Sequence, residues 1–350
     1  MAKLTIIRVT ATEPYERGLQ YGEQAKSHIE KCLAYYKASF QKSGHEWQRV
    51  QKCAMEFYRE VELAYPDQIE EVRGIAAGSG LSVADIMVIN SRYEISKFPK
   101  LPECTTGAVL PEATANRHAY ALKNWDFNIA VRDHVVFLLI RNDDFWLAGF
   151  TEAGQMIRDG VNNSGIALCS NNLQSVEDHY GMGIPVTFMR RRILYSKSFE
   201  EAESVLLSTK RTISNNILLI DGKNGIARDY EWYPSGADVL EPENGVLTHA
   251  NHFVKNPQRD ALVGRPKNRD LRLRELIMQH HGSVEVGHLK QALRDHMYYP
   301  LSICAHPGDP DSAYARDRAT VSSMIVDFQA NEIYACVGSP CEEEYTVIKP

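Results

Sequence analysis

Two prolines three residues apart, in Lys97-Phe98-Pro99-Lys100-Leu101-Pro102, divide this chain into two kinds of text and constrain its fold more than any other feature. Each proline removes a backbone donor and biases the residue before it away from helix. The segment therefore predicts an exposed, non-helical connector. Before it, apolar residues recur at helical spacing; after it, short alternating or wholly apolar runs take over.

In the first part a strand is expected at Leu4 to Thr10. Helices are expected over Tyr15 to Phe40, Trp47 to Tyr65 and Asp67 to Ala77, with a fourth capped by Ser82 and running through Ile89. Pro66 stops the second helix, and Gly78 and Gly80 end the third. Gly18 and Gly22 lie four apart on one face, where small residues either admit a close neighbour or are neutral.

In the second part strands are expected at Val135 to Arg141, Phe145 to Thr151, Gly165 to Ser170, Asn216 to Asp221, Ala227 to Trp232, Ser322 to Phe328 and Ile333 to Val337. Helices fall at about Val186 to Leu194, Phe199 to Leu207, Asn268 to His280 and Val286 to Arg294. Gly222 and Gly225 read as a hairpin turn, since no Lys-Ser/Thr ending follows to make a phosphate loop. Blocks of strands and blocks of helices point to two sheets packed face to face with helix layers outside. Residues 1–103 and 104–350 read as two segments of one domain, and no internal repeat, low-complexity segment or linker separates a second domain.

A chain of 350 residues can bury a large core. Its net charge of −6, with no long Lys/Arg run, excludes a footprint for nucleic acid. No apolar run approaches the roughly eighteen residues of a membrane span. Met1 to Arg8 lacks the longer apolar run and small-residue cleavage site of a signal peptide, so the expected address is the cytoplasm. Cysteines at 32, 53, 104, 169, 304, 336 and 341 are odd in number and lack CxxC spacing, which argues against both a secreted disulfide framework and a zinc site. No metal is expected on this reading, and a cysteine without further context reads as a small buried hydrophobe.

Cys104 has such context. It stands in Pro102-Glu103-Cys104-Thr105-Thr106, just after the connector, with Lys123-Asn124-Trp125-Asp126-Phe127 following. Cleavage between Glu103 and Cys104 would place a thiol nucleophile and an α-amine on one residue. An α-amine titrates near pH 8 (about 7.7–8.0 unperturbed), so it serves as proton acceptor without a histidine partner, which a papain-like protease would need. Three further clusters accompany it: Thr151-Glu152-Ala153-Gly154 leading into the turn-rich Gly160 to Ala167, Leu247-Thr248-His249-Ala250-Asn251-His252, and Arg316-Asp317-Arg318-Ala319-Thr320-Val321. His249 and His252 lack a third ligand at metal-site spacing and read as hydrogen-bonded loop histidines.

On these motifs the chain resembles the acyl-coenzyme A:6-aminopenicillanic acid acyltransferases, a group of N-terminal-nucleophile hydrolases with bile salt hydrolase and penicillin V acylase as more distant relatives. Cys104-Thr105-Thr106 and Asn124-Trp125-Asp126-Phe127 carry the resemblance most specifically. Gly18 with Gly22, Glu71 to Ala76, Thr248 to His252 and Tyr299 to Cys304 extend it over nearly the whole chain.

The resemblance implies an α+β fold, the four-layer αββα sandwich of those hydrolases. It implies Cys104 as nucleophile and new N-terminus, Asp126 as the acid that orients its amine, and Asn251 as a side-chain amide donor to the oxyanion. A catalytic arginine is implied at the start of the late strand; strand alternation favours Arg318, on the face of Thr320, and Arg316 is its rival. The fungal penicillin enzyme has glycine where this chain has Glu103, and glycine tolerates the strained peptide of self-cleavage more easily.

The expected activity is that of a self-processed cysteine amidohydrolase or acyltransferase acting on N-acyl amides or acyl thioesters. Its partners would be a small acyl amide or an acyl-coenzyme A donor, without a bound cofactor. The alternative is an uncleaved, non-catalytic binding or scaffold homologue.

Overall fold

The computed structural model describes residues 4–96, 103–262, 267–308 and 316–350. The proline-marked connector at Lys97 to Pro102 lies outside the described residues. The N-terminal part comprises β1 (Ile6–Val9), α1 (Pro14–Lys42), α2 (Trp47–Ala64), α3 (Pro66–Ser79) and α4 (Val83–Ser96). Beyond the connector come β2 (Glu103–Val109), β3 (Tyr120–Asn128), β4 (Val135–Arg141), β5 (Trp146–Glu152), β6 (Asp159–Asn162) and β7 (Ile166–Asn171). They are followed by α5 (Val186–Ile193), α6 (Phe199–Ser208), β8 (Asn215–Asp221), β9 (Ile226–Tyr233), β10 (Gly236–Leu240) and β11 (Val246–His249). The chain ends with α7 (Arg269–Met278), α8 (Val286–Ala292), β12 (Arg318–Asp327), β13 (Glu332–Val337) and β14 (Thr346–Ile348).

Among the described residues the strands form two sheets. An eight-stranded sheet runs β1-β4-β5-β6-β7-β8-β9-β10, and a six-stranded sheet runs β11-β2-β3-β12-β13-β14. Pairing is antiparallel except where β1 lies parallel to β4, which ties the N-terminal segment into the same sheet as the strands after Cys104.

The apolar runs explain the layering. Along β4, Phe137 and Leu139 point into the layer between the sheets, whereas Val136, Leu138 and Ile140 point to the opposite face. Leu218 and Ile220 of β8 face inward in the same way, while Ile217 and Leu219 face outward. Strands buried on both faces read as continuous apolar text rather than as alternation. The outer face of the larger sheet packs on α1 to α6 through residues such as Ile29, Val72, Met87, Phe188 and Phe199. The outer face of the smaller sheet, with Val109, Leu122 and Ile325, packs on Leu273, Ile277 and Leu289 of α7 and α8. The result is the four-layer αββα sandwich.

The early glycine pair has a steric reason. A Cβ on Gly18 would lie 2.0 Å from the Glu71 carbonyl oxygen, and one on Gly74 would lie 2.0 Å from that of Tyr15, so α1 and α3 meet backbone to backbone. Glu71 is buried at this contact and pairs with Arg17 at 3.2 Å and with Arg191. The strands expected from sequence omit β2, β3 and β11, which carry polar site motifs, and the short β6, β10 and β14. Helix α4 kinks at Ser91, whose backbone is non-helical, so the expected end near Ile89 falls close to a break; a second helical stretch continues to Ser96, with Asn90 and Arg92 buried against Gly154 and Glu152.

Candidate active site

The site forms where β2, β3, β11, β12 and the start of α7 converge. Register places Glu103 opposite Asp126 and Cys104 opposite Trp125 on the β2–β3 ladder. On the other side of β3, Thr320 pairs with Asp126, and β12 shifts register just after it. The Cys104 thiol is fully buried in the layer between the sheets.

Asn251, two residues past the end of β11, reaches the nucleophile residue directly. Its Oδ1 accepts the Cys104 N–H at 2.6 Å and an Arg269 N–H at 2.9 Å. Its Nδ2 donates to the Asn172 carbonyl at 2.9 Å, so three partners fix the orientation of the amide. Asn251 thus holds the backbone nitrogen of Cys104.

The Glu103 carboxylate is buried between two guanidiniums. It pairs with Arg269 and lies 3.8 Å from Arg318. Of the two candidate arginines in the late strand, Arg318 is the one drawn into the site; the Arg316 side chain is 56 % exposed and faces Asp317 at 3.5 Å. Arg318 and Thr320 share one face of the strand: Arg318 meets Glu103, and Thr320, two residues on, donates its hydroxyl hydrogen to Asp126 Oδ1 at 2.6 Å. Burial lowers the pKa of Arg318, against the pull of Glu103. Burial lowers that of Arg269 too, but the Glu103 and Asp126 carboxylates outweigh it and the net shift is upward.

Asp126 is fully buried, and burial pushes its pKa up to about 6 against the opposing charge of Arg269. Among the described residues its Oδ2 has no hydrogen-bond partner. A buried acceptor without a partner is uncommon, and it leaves room here for one further donor.

Two contributors were not foreseen from sequence. Arg158, just before β6, donates to the Cys104 thiol at 3.7 Å and stacks on Trp125 with its guanidinium 4.2 Å from the ring centre. It is buried and lies 3.5 Å from Asp159, so its charge is held in place beside the sulfur. The charged pair Arg158-Asp159 interrupting apolar text was the available signal. Arg269 gave none, standing in the polar stretch Lys267-Asn268-Arg269-Asp270.

His249 belongs to the polar bed beneath Asn251 and is hydrogen-bonded, with Nε2 3.1 Å from Glu231. Burial disfavours its imidazolium, but the carboxylates of Asp229 and Glu231 outweigh burial and push its pKa up to about 9. A histidine pKa raised on folding contributes stability that is complete below about pH 6.5 and is lost as pH rises through the folded value. The thermal midpoint is therefore expected to fall between about pH 7 and about pH 9, with His249 supplying on the order of 2–3 kcal/mol of that loss. His249→Gln should flatten this slope in unfolding scans across the range; an unchanged slope would assign it to other groups.

A model of the acyl-coenzyme A:6-aminopenicillanic acid acyl-transferase family matches residues 113–342. The acyl-coenzyme A:6-aminopenicillanic-acid-acyltransferase 40 kDa form of Emericella nidulans is 25% identical over 345 residues, covering 96% of this chain and 93% of that protein. Among solved structures, penicillin V acylase from Agrobacterium tumefaciens aligns with a TM-score of 0.48 at 14% identity, over 67% of this chain and 83% of its own. A mutant of the conjugated bile acid hydrolase from Clostridium perfringens aligns with a TM-score of 0.46 at 14% identity, over 70% of this chain and 92% of its own. With the family model spanning well over half of its length, the chain belongs to the acyl-coenzyme A:6-aminopenicillanic acid acyl-transferase family.

Proposed function

We propose that this member of the family cuts its own Glu103–Cys104 bond and then moves acyl groups from N-acyl amides or acyl thioesters through a covalent Cys104 intermediate. One observation carries the reading: the Cys104 nitrogen, which becomes an α-amine on cleavage, is held on Asn251 Oδ1 at 2.6 Å in the residue that also bears the thiol. Arg158 donates to the sulfur of that residue at 3.7 Å.

In processing, the thiolate adds to the Glu103 carbonyl carbon, and the C–N bond breaks as the Cys104 nitrogen takes a proton. Water then hydrolyses the resulting thioester, which frees the backbone α-carboxylate of Glu103 as a new C-terminus and restores the thiol. In the catalytic cycle the amine takes the thiol proton as sulfur attacks the substrate's acyl carbon. It returns that proton to the leaving amine or thiol. Asp126 Oδ2 is the acceptor that would orient the ammonium. Water as the second nucleophile gives hydrolysis, and a small amine gives acyl transfer, with an acyl-coenzyme A thioester as one donor class and no bound cofactor needed.

The intact mass of purified protein tests the reading. Two fragments of about 100 and 250 residues meeting at Cys104 are expected, with Cys104 the first residue of the larger by Edman sequencing. A larger fragment starting elsewhere would refute it. A single full-length polypeptide would mark an uncut, non-catalytic binding or scaffold homologue.

A further inference from the structure

We propose that His296, Cys304, His306 and Cys341 form a zinc site that braces the loop packed against Thr320, Asp126's hydrogen-bond partner. Each residue offers one ligand atom, and the four atoms all lie within 4.8 Å of one another. The spacings between individual ligand atoms are close to those of a filled tetrahedron. Zinc with Zn–S about 2.3 Å and Zn–N about 2.0–2.1 Å sets its ligand atoms about 3.8 Å apart for two sulfurs, about 3.5 Å for sulfur and nitrogen and about 3.3 Å for two nitrogens. Here Cys304 Sγ and Cys341 Sγ are 3.5 Å apart, and the His296 and His306 Nε2 atoms are 3.1 Å apart. His306 Nε2 lies 3.6 Å from the Cys304 sulfur and 3.2 Å from the Cys341 sulfur.

Hydrogen bonding alone accounts poorly for this arrangement. Three heteroatoms converge on His306 Nε2, and one ring N–H serves only one of them well. A cation at the centre satisfies all four ligands at once. The other ring nitrogen of His306, Nδ1, lies 3.5 Å from Glu342 Oε1, the carboxylate partner that metal-bound histidines commonly have on their far side. Two thiolates and two imidazoles in a tetrahedron suit zinc rather than magnesium or calcium, and four protein ligands close the site to substrate, so its role is structural.

The irregular order of the ligands hides them in the sequence. His296, Cys304 and His306 come from the loop after α8, and Cys341 arrives from beyond β13. The brace leads to the active site. Ala305, between two of the ligands, donates its N–H to Thr320 Oγ1 at 2.9 Å and accepts the Thr320 N–H at 3.0 Å. The same Thr320 hydroxyl donates to Asp126. Fixing Cys304 to His306 thereby fixes the hydroxyl that positions Asp126. The metal site stands whether or not the chain is self-cleaved.

The test uses full-length, tag-free protein purified under reducing conditions, saturated with zinc chloride and dialysed. Elemental analysis should find about one zinc per chain. Cobalt(II) in its place should show the visible bands of a tetrahedral site with thiolate-to-cobalt charge transfer. Cys341→Ser and His296→Gln change exposed side chains and should lower zinc content at least tenfold, while His281→Gln, also exposed but outside the cluster, leaves it intact. Glu342→Gln should weaken zinc binding by roughly tenfold or more. Three outcomes would overturn the proposal: wild-type protein without stoichiometric zinc, equal zinc content in the cluster variants, or a Cys304–Cys341 disulfide that persists under reductant.

Discussion

Cys104→Ala is expected to leave one uncut polypeptide with no measurable turnover, because both proposed steps run through its sulfur. Loss of the attacking group in a covalent enzyme lowers turnover by up to about 10⁶-fold, which here means below detection. The substitution removes a single sulfur from a buried position, so the folded chain should persist and circular dichroism can confirm it. Cys32→Ser and Cys169→Ser provide the contrast. Both thiols are fully buried, and burial pushes their pKa values well up, so neither supplies a thiolate. Their variants should process and turn over, allowing for some loss of stability. The proposal fails if Cys104→Ala still yields the two fragments, or if iodoacetamide inactivation of the mature enzyme traces solely to another cysteine.

The fold was most legible where strands are apolar on both faces. The bounds Val135 to Arg141 are the same from sequence and structure because every residue but the last is buried against one layer or the other. Legibility failed where the sheets bury polar groups. Lys123, Asn124 and Asp126 are all buried in β3, and a run of polar residues inside a core defeats any reading based on alternation. The same cause cut short the expected β12, whose first three residues include Arg318 and Thr320. These failures mark the chemistry, since a buried polar strand is retained where side chains must converge.

The site divides in a similar way. Asp126, Asn251 and Arg318 were legible through motifs, and the structure brings all three to the Glu103–Cys104 junction. Arg158 and Arg269 were not, because their meaning depends on contacts 54 and 166 residues away in sequence. Glu103 changes its reading most. As a bulky replacement for glycine it looked like an obstacle to self-cleavage, yet its carboxylate offsets two buried guanidiniums in the uncut chain. Removing one partner of such a buried group costs about 3–5 kcal/mol.

Asn251→Ala is expected to lower turnover of processed enzyme by about a hundredfold or more with little change in KM. The reason is that an amide donor to the oxyanion acts in the transition state rather than on the bound substrate. In the uncut chain, however, the same side chain accepts the Cys104 N–H and an Arg269 N–H through Oδ1. Alanine therefore removes both an acceptor proposed for processing and a donor proposed for catalysis. Asn251→Asp separates them, because a carboxylate keeps the acceptor toward Cys104 and Arg269 but has no N–H to give. If the donor matters, Asn251→Asp should still yield a chain beginning at Cys104 and yet show the hundredfold loss in kcat on an N-acyl amide. Processed Asn251→Asp with near-wild-type kcat would confine Asn251 to holding the amine, and the oxyanion donor would then have to come from another group lining the Cys104 thiol.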